Sequence, residues 1–175
     1  MSDIERFFKI KNKNTEELKE ILIKNWMSHD GFWFFHCLQL CGIEKTNIIN
    51  RAAVRSMSLL EIERLKKMFE IEIISTFDDL KNVIHLIFQV VKANFMDFEY
   101  FFPKDNVIIF RMNNCFAHDG VKRIGALEEY KCGIFLRIDC WLEGLDLEYE
   151  TNPEDFGCLL RDYGKCERKY LFKFK

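Results

Sequence analysis

Apolar and polar positions follow two different periods, and the change between them divides the chain near its middle. Leu18, Ile21, Leu22 and Trp26 recur every three or four residues, the spacing of one helix face. Asn14, with Glu17 three residues on, supplies a start signal for that helix. The aromatic run SHDGFWFFHCLQLCG comes next and ends at Gly42, a residue suited to a helix C-terminus. A third helix is predicted over 44–55. Ser58 with Glu61 reads as a capping box ahead of Leu59, Ile62, Leu65 and Phe69. Thr76 with Asp79 gives a second box, ahead of Leu80, Val83, Ile84, Ile87 and Val91.

The period then drops to two. Met96, Phe98, Tyr100 and Phe102 alternate with Asp97 and Glu99, PKDN supplies a turn, and VIIFRM returns, which predicts a β-hairpin. Two helical pieces are expected between Gly120 and Leu145, the second in KCGIFLRIDCWLEGL. DLEYET alternates again, and the chain closes on KYLFKF with Tyr170, Phe172 and Phe174 on one face. Helices followed by antiparallel pairs predict an α+β fold: N-terminal helices packed on a largely antiparallel sheet, with a C-terminal hairpin carrying cysteines. One domain over 1–175 is expected, mainly helical over about 14–92 and mixed over about 94–175.

Composition narrows the function classes. The 175 residues carry eighteen Phe, seven Cys and a formal charge of −2, with no basic run, so no nucleic-acid footprint is expected. The N-terminal MSDIERFFKIKNKN has no apolar core of a signal peptide, and no stretch reaches membrane-spanning length, so a cytoplasmic protein is expected. There, cysteines serve more often as metal ligands or reactive thiols than as disulfides. G-x-S-x-G, Walker A, G-x-G-x-x-G and H-E-x-x-H patterns do not occur.

The chemistry concentrates near the C-terminus. In CLLRDYGKC, a short hairpin centred near Asp162 would bring Cys158 and Cys166 together, at metal-ligand or disulfide separation. Asp155, three residues before Cys158, and Cys132, 26 residues before it, complete a candidate set for Zn2+. Cys132, Asp155, Cys158 and Cys166, with Gly164 before the last cysteine, resemble the zinc signature of 4-vinyl-reductase-type domains. The likeness is closest to the sensory modules of phenol-responsive bacterial transcription activators. It covers roughly the last 45 residues, and Asp155 stands where that signature has Glu. The whole chain is also similar to an uncharacterised family of small cytosolic proteins from anaerobic bacteria and archaea, in which an HDGFWF-like segment accompanies C-terminal cysteines. The first resemblance implies an α/β fold around a small-molecule pocket, a structural zinc beside it, and dimerisation.

The expected reading is therefore a small-molecule-binding, sensor-like domain with a structural zinc and an apolar or aromatic ligand. Candidate ligand-binding residues are His29, Trp33, His36, Phe110, Cys140 and Trp141; the first three share one face if helical, and the alternative is a core helix capped by Asp30. Cys37 and Cys41, at i and i+4, read as core, His85 as structural, and Asp139 as surface or ion-paired near Arg137. A small hydrolase or reductase using Cys115, His118 or Cys140, and a thiol redox switch at Cys158 and Cys166, stay open. A homodimer is a further possible partner arrangement.

Overall fold

The computed structural model describes residues 15–154 and 157–174. The architecture is α+β, as the change of period predicts. A long first helix, α1 (Thr15–Met68), is broken at Gly42, whose φ of 74° and ψ of 168° are non-helical. Helix α2 (Phe77–Val91) starts on the predicted capping box: Thr76 accepts from the Asp79 N–H, and the Asp79 carboxylate accepts from the Thr76 N–H at 3.0 Å. Strands β1 (Phe98–Lys104) and β2 (Val107–Met112) form the first hairpin. Helices α3 (Phe116–Arg123) and α4 (Ile134–Gly144) follow, then β3 (Glu148–Asn152), a single helical turn α5 (Leu159–Tyr163), and β4 (Cys166–Lys173).

The four strands are antiparallel in the order β1-β2-β4-β3. One face of the sheet is turned to the core because alternate residues of β4, Cys166, Arg168, Tyr170 and Phe172, are buried while their neighbours are not. Helix α2 lies on that face. Phe88 meets Phe98, Tyr100, Phe110 and Trp141, and Phe77 meets Phe102 and Phe172. His85 is structural, its ring 2.7 Å from the Tyr100 hydroxyl.

The second half of α1 packs on α4. Glu61 accepts from Arg137 at 2.5 Å and from the Trp141 indole at 2.8 Å, and Ile62 is fully buried beside Gly144.

Several sequence expectations change. Ser58 does not cap a helix: it lies inside α1, its hydroxyl donating to the Val54 carbonyl at 2.6 Å, so the predicted helix over 44–55 runs on through it. Asp30 likewise sits mid-helix. The start assigned to Asn14 lies outside the described residues. Met96 precedes β1, and α3 begins before Gly120. The C-terminal hairpin is the β3–β4 pair, and its connection winds into α5 at Asp162 in place of a tight turn. Asp139 pairs with Arg168 of β4 at 2.7 Å, because Arg137 is already held by Glu61.

Candidate metal centre

Four cysteines begin four separate segments and arrive in one buried neighbourhood. Cys115 is the N-cap of α3, Cys132 stands just before the N-cap of α4, Cys158 is the N-cap of α5, and Cys166 opens β4. All four are free and buried. Local backbone chemistry turns two of the sulfurs inward. The N–H groups of Ala117 and His118 donate to the Cys115 sulfur, His118 at 3.5 Å, and those of Ile134 and Phe135 donate to Cys132. This is N-capping with sulfur in place of oxygen, at helix ends whose positive polarity favours thiolate.

Tertiary hydrogen bonds fix the segments to one another. The Cys132 N–H donates to the Gly157 carbonyl at 2.8 Å. The N–H groups of Gly157 and Cys158 donate to one Asp162 oxygen at 2.8 and 3.1 Å. Arg161 donates to the carbonyls of Leu127, at 2.7 Å, and Glu128, tying α5 to the loop that leads into Cys132. Asn47 of α1 bonds the Glu129 carbonyl and the Lys131 N–H, and Arg51 donates to the Cys132 carbonyl at 2.9 Å.

The electrostatics follow from this proximity. Cys166 hydrogen-bonds to Cys115, which together with the N–H donors lowers the Cys115 thiol to about 7. The same contact, with burial, raises Cys166, and the charges of Cys132 and Cys158 add to it. Burial pushes Cys132 up to about 12. Tyr130, buried against the cluster, is raised by burial and by the neighbouring thiols. As they stand, no three His, Cys, Asp or Glu side chains among the described residues form a group that could hold a metal. The four sulfurs share a neighbourhood without closing round a centre.

Of the four expected ligands, Cys132, Cys158 and Cys166 are brought together, and Asp155 lies outside the described residues. Cys115 was read only beside His118, yet its sulfur joins the cluster. The sequence signal for it is a repeated context, a cysteine at the start of a helix, shared with Cys132 and Cys158. His118 is paired with Asp119 at 2.9 Å.

Cys140 is fully buried away from the cluster, its sulfur 3.8 Å from Arg55. Cys37 is half-buried and Cys41 exposed, not core, because they lie at the end of a helical arm with little packed over it.

The expected ligand-binding residues are not brought together. His29, Trp33 and His36 do share a helix face, but it is the exposed one, whereas Phe110, Cys140 and Trp141 are buried in the core. An open groove of about 700 Å3 between α1 and the end of α2 is lined by Lys19, Phe88, Gln89, Lys92, Asn94 and Met96, none of them among the six. Among the described residues no helix is long and apolar enough to cross a membrane.

No curated protein and no solved structure matches the chain. A family model does, over residues 9–139, a stretch that includes Cys115 and Cys132 and stops before Cys158. The chain belongs to that family, described as a family of unknown function (DUF6125).

Proposed function

We propose that the chain is a zinc-binding, non-catalytic domain in which Cys115, Cys132, Cys158 and Cys166 hold one structural Zn2+. The reading rests on one observation, four buried free thiols at the starts of four segments that backbone hydrogen bonds and strand pairing hold together. The donor set fits the metal, since four thiolates suit a tetrahedral structural zinc and the backbone N–H groups at Cys115 and Cys132 stabilise thiolate sulfur. A fully thiolate-bound zinc has no open position, which favours structure over hydrolysis. The metal would pin the starts of α3, α4, α5 and β4 to one point.

Elemental analysis of the purified chain tests this. About one zinc per chain is expected, lost in Cys115→Ser and kept in Asp155→Ala and in Cys37→Ser/Cys41→Ser. Zinc retained by Cys115→Ser but lost from Asp155→Ala would restore the aspartate as fourth ligand and overturn the four-thiolate set.

The Cys115–Cys166 contact favours a second reading, a redox pair. Two thiols would give two protons and two electrons to hydrogen peroxide, leaving a disulfide and two waters. Peptide mapping of metal-free, peroxide-treated protein should then find Cys115 joined to Cys166. A Cys158–Cys166 link would contradict that assignment.

A further inference from the structure

The first half of α1, residues 15–41, is apolar on two opposite faces. One face seats it on the domain: Phe34 packs edge-on against Tyr130 with ring centroids 5.8 Å apart, Lys19 donates to the Gln89 carbonyl at 2.5 Å, and the Asn94 N–H donates to Glu20 at 2.5 Å. The opposite face is open. At 100° per residue Leu18, Leu22, His29, Phe32, Trp33 and Leu40 fall within one narrow arc. Leu22, Phe32 and Leu40 are 68%, 67% and 85% exposed. An ordinary surface helix is polar on the side away from its core, and this one is not.

Area and charge indicate what covers it. With Ile21 at one flank, the exposed apolar residues amount to about three and a half complete large side chains, while Trp26 on the other flank stacks on Arg137 of α4, whose guanidinium lies 4.9 Å from its ring centroid. At about 150 Å2 each, the low end of the aromatic range because most are Leu or Ile, that is roughly 500 Å2, at the upper end of the apolar patch a monomer exposes, and the polar seam residues add to it toward the roughly 800 Å2 one partner contributes to a standard interface. The arc contains no Asp, Glu, Lys or Arg, and the whole segment 31–43 contains none. The residues recur as a seam: Leu18, Leu22, Asn25, His29, Phe32, His36 and Gln39 alternate steps of four and three, the spacing of a coiled-coil contact, with Trp26, Trp33 and Leu40 beside it at intervals of seven. Within the helix Glu16, Glu17, Glu20 and Asp30 outnumber Lys19 and Lys24, which disfavours an anionic bilayer along its length, while Arg6, Lys9, Lys11 and Lys13 precede it, so sedimentation with vesicles separates a bilayer from a second copy.

We infer that this seam binds the same seam of a second copy, antiparallel, with the two His29 residues at the crossing. In that register Leu18 lies opposite Leu40 and Leu22 opposite His36. Each charged N-terminal half then runs along the uncharged half of its partner, and the helix dipoles oppose. A parallel pair would instead align the two helix dipoles. The contact is isologous, so it closes at a dimer. It stands independently of the zinc site.

Light scattering on the full-length chain, eluting from a sizing column across a concentration series, tests the inference. A dimer at twice 21.1 kDa is expected. Phe32→Glu and Leu22→Glu should each raise its Kd roughly thirtyfold or more, as for an interface hot spot. Both positions are exposed in the protomer, so circular dichroism should stay unchanged, and the melting temperature should lose only its dependence on protein concentration. In a Cys37→Ser/Cys41→Ser background, Leu18→Cys with Leu40→Cys should give disulfide-linked dimers. A monomer at high-micromolar concentration would overturn the inference, as would a dimer indifferent to Phe32→Glu. Monomeric protein that sediments with phospholipid vesicles would also overturn it, assigning the face to a membrane.

Discussion

Asp139→Ala is the most informative single change away from the thiol cluster. Arg168 is buried in the middle of β4, and its guanidinium is shared among three segments. Nη1 lies 2.7 Å from both Asp139 oxygens and 3.1 Å from the Tyr170 hydroxyl, Nη2 reaches Thr151 at 3.0 Å, and Nε reaches the Pro153 carbonyl at 3.0 Å. The alanine removes the carboxylate facing this charge and strips the Tyr170 hydroxyl of its 2.8 Å contact with Asp139. Breaking one side of a buried pair costs roughly 3–5 kcal/mol. The Asp139 side chain keeps 27% of its exposure, so water screens part of the pair and the low end, about 3 kcal/mol, is expected. In a domain of this size that lowers the melting temperature by roughly 6–12 °C. Arg168→Met alone should also destabilise, but the double variant Asp139→Leu/Arg168→Met should recover about half of the summed loss, because no buried charge is stranded. Equilibrium unfolding in urea at fixed zinc, with Asp139→Leu added as the matching single variant, measures all four corners of the cycle. A cost below about 1 kcal/mol for Asp139→Ala, or strict additivity in the double variant, would refute the argument.

Three further outcomes are expected. Gly144→Ala, normally favourable in a helix, should destabilise by about 1–3 kcal/mol in a melt, because the new methyl presses into the Cγ2 of buried, β-branched Ile62; an unchanged or raised melting temperature would contradict the close approach. Thr76→Ala should cost about 1 kcal/mol by removing the cap on the Asp79 N–H, and thermal unfolding indifferent to it would show the box to be dispensable. Burial opposes ionisation of Asp162, but Arg161 and the Gly157 and Cys158 N–H groups outweigh it and hold the carboxyl below its ordinary 3.8. Its contribution to stability is therefore present above that value and lost as pH falls through the native one. Asp162→Asn should flatten the acid limb of the pH–stability curve, and an unaltered limb would count against the assignment.

Local rules read most of this fold. The period of 3.6 with a capping box placed α2, the alternation from Phe98 placed β1 and β2, and KCGIFLRIDCWLEGL placed α4. They failed where a local signal was satisfied in another way. Ser58 and Glu61 have capping-box spacing, but Ser58 returns its hydroxyl to Val54 and Glu61 is held by Arg137 and Trp141, so neither is free to start a helix. The site divides along the same line. Cys132, Cys158 and Cys166 could be grouped by spacing near the C-terminus, whereas Cys115 joins them only through the pairing of β2 with β4, which sets Met112 opposite Cys166 and leads the chain back to the cluster. Period alone cannot say whether an apolar helix face turns inward, and His29, Trp33 and His36 share a face that turns out.

The break at Gly42 has a consequence for how one helical phase is used twice. Counted at 100° per residue, the outward arc from Leu18 to Leu40 continues almost in step into Asn47, Ser58, Ile62 and Leu65, which are buried. That stripe, apolar and polar side chains mixed, thus runs along nearly the whole of α1, buried after the break and exposed before it. Gly42, at a positive φ that other residues enter only with strain, marks where the stripe changes its audience. Both halves still meet α4 at Arg137, whose guanidinium lies 4.9 Å from the Trp26 ring centroid and bonds Glu61. Beyond that shared contact the second half belongs to the protomer's own core, and the outward face of the first is left for a neighbour.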